Sequence, residues 1–283
     1  MARLFAFTGG VAPVFTLATF NVNSINARLP ALLDWLEQRK PDVVALQETK
    51  CEDAKFPLEA LSAAGWRAEH FGQKTYNGVA LLAREDMHDI TRGLDEAPDA
   101  QARCIAATVR GVRIVNTYVP QGSEVDSDKF RYKLEFLCRL HDRLKRELAS
   151  GLPLAWLGDF NIAPEDIDVY APDFFAGEVG VHQDERAALE RIRALGFEDL
   201  FRRHHPDQPK QYTFFDYRVR DSVKYRKGWR IDHIWGNASL AARSTGSEID
   251  MCPRMLDAAS DHTPLLASFS EAAGPPATCV SRL

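Results

Sequence analysis

The stretch Leu152-Pro153-Leu154-Ala155-Trp156-Leu157-Gly158-Asp159-Phe160-Asn161-Ile162-Ala163-Pro164 decides how the chain is read. Its apolar run, bounded by turn-forming residues, has the length and composition of a buried strand. Gly158 lets the backbone turn sharply where that strand ends. Asp159 and Asn161 stand two apart, so an extended backbone points both to one side. One brings anionic oxygen, the other a neutral oxygen and an N–H₂ donor. That pairing suits a metal-bound phosphate, where charge must be handled and steadied. A strand running into an Asx turn would read the same and carry no chemistry. The decision therefore rests on whether other strands end in the same way.

They do. Residues 15–20 alternate as a strand and stop at Asn21-Val22-Asn23-Ser24, and the apolar run 43–46 ends in Gln47-Glu48. Residues 114–117 end at Tyr118, Asp232 sits inside Arg230-Ile231-Asp232-His233, and Ser260-Asp261-His262-Thr263-Pro264 precedes a strand at 265–269. Strand ends on one edge of a sheet converge although they are far apart in sequence. Together they supply carboxylates, carboxamides, a phenol and an imidazole, a set for hydrolysing phosphate esters. Each has a plain reading beside it: Glu48 as a solvated strand end, Tyr118 as a core tyrosine with a wet hydroxyl, Asp261-His262 as a turn. Asp232 is harder to dismiss, because a buried carboxylate costs several kcal/mol unless paired.

Between these ends, Leu29, Leu32, Leu33 and Leu36 recur at helical spacing, with Pro30 in the first turn and Lys40-Pro41 closing the element. Gly111 predicts a tight hairpin joining 105–109 to 112–118. A long helix over 127–148 places Phe130, Leu134, Leu137, Leu144 and Leu148 inward, with His141 as a packed or rim residue of the same stripe. Residues 165–182 lack periodicity and read as a surface loop; Asp184 then caps a helix carrying Leu189, Ile192 and Leu195. Further strands are expected at 212–215 and 231–235. The pattern is α/β, with two mixed β-sheets packed face to face and helices outside. One domain is expected over 15–270, with disordered extensions at 1–14 and 271–283.

At 283 residues, 45% hydrophobic and 27% charged, the composition is that of an ordinary globule with material for a large core. No apolar run approaches the roughly 18 residues that span a bilayer, so no membrane partner is expected. Five scattered cysteines without a Cys-x-x-Cys pair argue against a disulfide framework or zinc site and for a reducing, cytoplasmic setting. A monomer is expected, since nothing in the sequence asks for an oligomer. The net charge of −5 does not advertise a nucleic-acid binder, although a local patch can still make one. Residues 217–230 are such a patch: Arg218, Arg220, Lys224, Arg226, Lys227 and Arg230 against Asp221, interleaved with Tyr217, Tyr225 and Trp229. Cations can follow phosphates while aromatic faces meet bases or sugars. A solvated hairpin is the plain alternative.

Phe20-Asn21-Val22-Asn23, Leu46-Gln47-Glu48-Thr49-Lys50, Tyr118-Val119-Pro120-Gln121-Gly122, Gly158-Asp159-Phe160-Asn161-Ile162, Gly228-Trp229-Arg230-Ile231-Asp232-His233 and Ser260-Asp261-His262 occur in this order. With Gly72-Gln73-Lys74 and Phe215-Asp216-Tyr217-Arg218, the chain from Thr16 to Phe269 closely resembles the exonuclease III branch of the endonuclease/exonuclease/phosphatase superfamily. Inositol phosphatases and sphingomyelinases share single motifs; the Gln-Glu-Thr-Lys, Tyr-x-Pro-Gln-Gly and Phe-Asp-Tyr-Arg stretches point to the DNA-repair branch.

The resemblance implies a four-layered sandwich and a phosphodiesterase using Mg²⁺ or Mn²⁺, cations that favour oxygen ligands. It implies Glu48 as principal metal ligand, with Asn21, Asp261, Asp159, Asn161 and His262 around the same ion. Asp232 would orient His262, Asp159 or His262 would act as base on the attacking water, Asn161 would donate to phosphate oxygens, and Tyr118 would steady the charge there. The implied substrate is duplex DNA with 3′ ends, nicks or abasic sites, met by Lys74, Arg103, Gln121, Lys129, Phe214, Arg218 and Trp229. Such contacts read structure rather than sequence. Phe214 stands where many relatives carry tryptophan in the abasic-sugar pocket, and His182 is expected to crowd that entry and favour work at 3′ ends. A non-catalytic nucleic-acid-binding regulator and a lipid or inositol phosphatase are the competing classes; the retained polar set weighs against the first and the basic-aromatic stretch against the second.

Overall fold

Apolar side chains alternate between two faces along the strands, and that alternation sets where each strand sits. In Phe15–Asn21 (β1), Phe15 and Leu17 join one apolar cluster while Ala18 and Phe20 join another. The computed structural model describes residues 15–95 and 101–270, so the expected extensions at 1–14 and 271–283 lie outside the described residues. After β1 come Ile25–Arg39 (α1), Val43–Gln47 (β2), Leu58–Ala63 (α2), Arg67–Phe71 (β3), Val79–Ala83 (β4) and His88–Arg92 (β5). The hairpin Cys104–Val109 (β6) and Val112–Tyr118 (β7) leads to Asp128–Leu148 (α3), Leu154–Asp159 (β8), Pro172–Phe175 (α4) and Gln183–Arg193 (α5). Phe197–Asp199 (β9), Leu200–His204 (α6), Asp232–Asn237 (β10), Ala238–Ala241 (α7), Ser244–Ile249 (β11) and Leu265–Phe269 (β12) complete the order.

The strands form two six-stranded sheets, β11-β12-β1-β2-β4-β3 and β5-β6-β7-β8-β10-β9. Each sheet is mixed: β1–β2 and β7–β8 run parallel and the other pairs antiparallel. Leu17, Ala45, Leu81, Ile114, Leu157 and Ile234 pack between the sheets. On the outer faces, Trp35 and Leu36 of α1 cover Val44 and Leu46, while Leu137, Leu140 and Ile192 of α3 and α5 cover Val115 and Trp156. The result is the α/β four-layered sandwich expected from the sequence.

One polar bridge crosses the apolar interior. The Asn116 Oδ1 of β7 accepts from Gln47 Nε2 of β2 at 2.7 Å, and Asn116 Nδ2 donates to the Leu46 and Ala80 carbonyls at 2.9 Å each. A fully satisfied buried network costs little and admits one register. It pins the end of β2, which delivers Glu48, to the end of β7, which delivers Tyr118.

Several local expectations are corrected. Pro30 lies inside α1 rather than in its first turn. Within residues 212–215 only Phe214 pairs, in isolated bridges to Trp229 and His262, and no strand forms. The 165–182 segment holds a 3-10 turn at Asp166–Asp168 and α4, and it buries Asp168 completely. The cap of α5 is His182, whose Nδ1 accepts from Asp184 N at 3.2 Å, rather than Asp184, and Leu195 lies beyond the helix. On α3 the inward stripe also includes Phe136, Leu140 and a buried lysine, Lys133. His141 is a rim residue beside Asp142. The predicted β6–β7 turn is present, with Arg110 and Gly111 both at positive φ as a two-residue hairpin of this hand requires.

Candidate active site

The parallel units β1–α1–β2 and β7–α3–β8 aim their carboxyl ends at the same edge of the sandwich. That edge receives Asn21 from β1, Glu48 after β2, Tyr118 from β7 and Asp159 from β8. β10 runs antiparallel to β8 with Asp232 directly across from Asp159, so its first residue reaches this edge. Asp261 and His262 arrive on the loop before β12. Gly158 makes the arrangement possible: its φ is +138°, and a Cβ there would lie 2.0 Å from the Thr117 carbonyl oxygen.

Asn21 joins the carboxylates from the two sheets. Its Nδ2 donates to Glu48 Oε1 at 2.8 Å and to Asp159 Oδ2 at 2.9 Å, while its Oδ1 accepts from Asn23 N at 3.0 Å. Asp159 Oδ1 accepts from Asn161 N at 2.9 Å in an Asx turn, so Asn161, at φ +51°, leaves the extended path expected for it, yet both residues reach this edge. Asn161 Nδ2 donates to the Val119 carbonyl at 2.9 Å, leaving one amide hydrogen. His262 Nδ1 meets Asp232 Oδ2 at 2.8 Å, which makes Nδ1 a donor and turns Nε2 towards Asp159 Oδ2, 3.8 Å away. Thr213 Oγ1 accepts from Asp232 N at 3.1 Å and Ser260 Oγ from His262 N at 3.2 Å, fixing the backbone behind that pair. Asp261 Oδ1 accepts from Asn23 Nδ2 at 2.9 Å.

Negative charge exceeds positive charge here, and the proton affinities follow. Burial, with the Asp232 and Glu48 carboxylates and against the pull of His262, raises Asp159 to about 7. Burial alone would lower His262, yet Asp232 and Asp159 lift it to about 10. Burial also opposes ionisation of Glu48, but the Asn21 amide and the Lys50 ammonium, 2.7 Å from Oε2, hold it below the ordinary carboxylate value. Tyr118 is pushed well above the ordinary phenol value by burial and by Glu48 and Asp159, so it stays a donor. Asp232 Oδ1 is buried without a hydrogen-bond partner.

Glu48, Asp159 and His262 each place a ligand atom within 4.8 Å of the others, a group able to hold a metal ion. The donor set suits a hard cation: two carboxylates lead it, sulfur is absent from it, and a lysine ammonium already rests on Glu48. Of the residues expected around that ion, Glu48, Asp159, Asn161, Asp261 and His262 reach this edge; Asn21 reaches it too but presents its N–H₂ to the carboxylates, not its oxygen.

A cleft of about 770 Å³ opens over these groups. Of the residues expected to touch DNA, Gln121, Phe214, Arg218 and Trp229 line it. Phe214 lies against His262 with ring centroids 4.9 Å apart. Arg103 does not line the cleft but stacks over the Tyr118 ring at 4.7 Å. Lys74 and Lys129 are exposed outside the lining. Arg230 is the clear departure within the basic stretch: it is fully buried and paired with Asp168 and Asp199. His182 also departs from expectation, since its ring caps α5 and packs edge-on against Phe130 at 5.1 Å instead of lining the cleft.

Sequence reasoning assigned no role to Asn23, Lys50, Lys133 or Glu185. Lys133 and Glu185 form a fully buried ion pair, from which Lys133 Nζ donates to the Asn161 carbonyl at 2.8 Å and Glu185 Oε2 accepts from Gly180 N at 2.7 Å. Lys50 lies within the quoted Gln-Glu-Thr-Lys stretch and was available as a signal; a lone lysine in an amphipathic helix was not.

The endonuclease/exonuclease/phosphatase family model matches residues 18–262, from β1 to the His262 loop. The chain belongs to the endonuclease/exonuclease/phosphatase family. Within this family it is of the exodeoxyribonuclease III type: it is 35% identical to exodeoxyribonuclease III of Haemophilus influenzae over 263 residues, 89% of this chain and 98% of that one. An AP endonuclease structure from Archaeoglobus fulgidus superposes with a TM-score of 0.89 at 41% identity, covering 91% of this chain and all of the other. The 3′ phosphatase NExo from Neisseria, solved with product DNA hairpin, gives a TM-score of 0.89 at 39% identity over the same shares. Among the described residues no helix is long and apolar enough to cross a membrane.

Proposed function

We propose that this family member is a Mg²⁺- or Mn²⁺-dependent DNA-repair nuclease that hydrolyses phosphate esters of duplex DNA at 3′ ends, as exonuclease and 3′-phosphatase, and at abasic sites. The observation that carries the reading is the buried carboxylate excess at one sheet edge: Glu48, Asp159 and Asp232 around one imidazole, under a cleft with aromatic and cationic walls. Bound Mg²⁺, held by Glu48, would supply Lewis-acid polarisation of the phosphate. Asn21 clamps Glu48 and Asp159 at a fixed separation.

The proton affinities divide the remaining work. His262 at about 10 is an imidazolium near neutrality, so it donates from Nε2 to a phosphate oxygen, oriented by Asp232 through Nδ1. Asp159 at about 7 is matched to accepting a proton from water near physiological pH, which favours it as the base. Tyr118, held as a neutral phenol, and the remaining amide hydrogen of Asn161 donate to the phosphate as charge develops. Unpaired thiols at Cys51, Cys138 and Cys252 favour a reducing, cytoplasmic setting.

The test is product analysis on end-labelled duplexes carrying a recessed, 3′-phosphorylated or abasic site, each with and without EDTA, beside an inositol phosphate. EDTA-sensitive cleavage of DNA alone is expected. DNA left intact under every condition, or turnover confined to the inositol phosphate, overturns the assignment.

A further inference from the structure

An aromatic wall leads from the imidazole out to the rim of the cleft. Phe214 packs on His262, its backbone bridges to Trp229, and Phe175 meets Trp229 edge-on at 4.9 Å. Phe174 then meets Phe175 edge-on, also at 4.9 Å, and projects outward with 79% of its surface exposed while still lining the cleft. A phenylalanine this bare is held out against the hydrophobic effect on a short helix, α4, that the interlocked Phe175–Trp229 pair anchors. Lys227 and Arg218, the latter paired with Asp216, line the same cleft and bring positive charge to it. An exposed aromatic face in a cleft that also carries cations and adjoins the candidate phosphate-hydrolysing centre matches the chemistry of a nucleotide: base on ring, phosphate on cation.

We infer that Phe174 is the stacking platform for the base of the nucleotide being removed, and so sets the preference between nucleotide removal and 3′-phosphate removal. The inference rests on the nuclease reading and deepens it. Removing a normal 3′ nucleotide places a base on the leaving side of the scissile bond, whereas a 3′-phosphate or an abasic sugar leaves without one. Stacking a base on an aromatic side chain is worth about tenfold in binding. Phe174 is therefore a specificity residue, and its loss acts on one substrate class only.

The experiment compares wild type, Phe174→Ala and Phe174→Trp by kcat/KM on a recessed duplex and on the same duplex ending in a 3′-phosphate. The ratio of nucleotide removal to phosphate removal is expected to fall about tenfold in Phe174→Ala, through KM, and to return in Phe174→Trp. An unchanged ratio overturns the inference. Quenching of 2-aminopurine placed as the 3′-terminal base, read with chelator present and without turnover, tests the stack even where wild type cleaves nothing. Quenching lost in Phe174→Ala supports it, and quenching retained overturns it.

Discussion

Arg230 and Asp232 are two residues apart, both fully buried and both charged, yet they belong to opposite kinds of cluster. Around Arg230 every charge has its complement: Nε donates to Asp168 Oδ1 at 2.7 Å, Nη1 lies 2.8 Å from Asp199 Oδ2, and Arg202 pairs with Asp168 as well. Around Asp232 negative charge is in excess, since Asp232, Asp159 and Glu48 surround one imidazole, and Asp159 is raised to about 7. The first cluster locks the wall of the cleft to β10. The second keeps proton affinities away from their ordinary values, the condition for acid–base work. Balanced charge marks structure here, and carboxylate excess marks chemistry.

The strongest way to break that contrast is Asp159→Asn. It should lower cleavage by about 10² to 10⁴ while leaving the fold intact, because a positioned base contributes on that scale. A carboxylate whose folded pKa of about 7 exceeds its ordinary 3.8 weakens the fold progressively as pH rises between those values. Removing it should therefore raise Tm at pH 8 in the presence of chelator. A lower Tm under those conditions would place Asp159 with the structural cluster instead.

Arg230→Met should do the reverse, costing about 3–5 kcal/mol by taking the buried cation from Asp199 and leaving Asp168 with Arg202 alone, as read from urea midpoints. Asp168 and Asp199 release their protons more readily folded than unfolded, because burial is outweighed by Arg230 together with Arg202 or His233. Their stabilisation is complete above the ordinary value of 3.8 and fades as pH falls below it towards the folded values. Acid melts should show wild type losing Tm below about pH 4 and the variant losing less.

A cation should balance the carboxylate-rich cluster. Mg²⁺ or Mn²⁺ at about a hundred times its Kd is expected to stabilise the protein by about 2.7 kcal/mol, and Glu48→Gln should abolish the shift. Equal shifts in both proteins would locate the ion elsewhere. The smallest effect belongs to His182→Ala: about 1 kcal/mol from the lost helix cap, with abasic cleavage unchanged. A clear gain in abasic cleavage would restore His182 as a gate.

Much of this was legible along the chain. Each strand ending in a polar residue announced both the sheet and the site, since Asn21, Glu48, Tyr118 and Asp159 mark the same edge as the apolar runs they close. What escaped was whatever depends on a partner distant in sequence. Arg230 read as a surface cation among five others because nothing local shows Asp168 and Asp199 waiting for it. Residues 212–215 have strand composition, but only Phe214 pairs, in single bridges to Trp229 and His262. All four edge strands were missed: β3, β5 and β11, half-exposed, lose the apolar signature, and β9 is only three residues long.

The pairing of β1 with β12 carries a temporal implication. The first and last described strands lie side by side in the middle of their sheet, and the imidazole arrives only on the loop just before the last one. A chain still emerging from the ribosome therefore has half its framework unclosed and lacks one member of its reactive set. Hydrolytic competence can begin only once residues 262–269 have been made, and cutting the chain back into β12 would silence the protein and unfold it together.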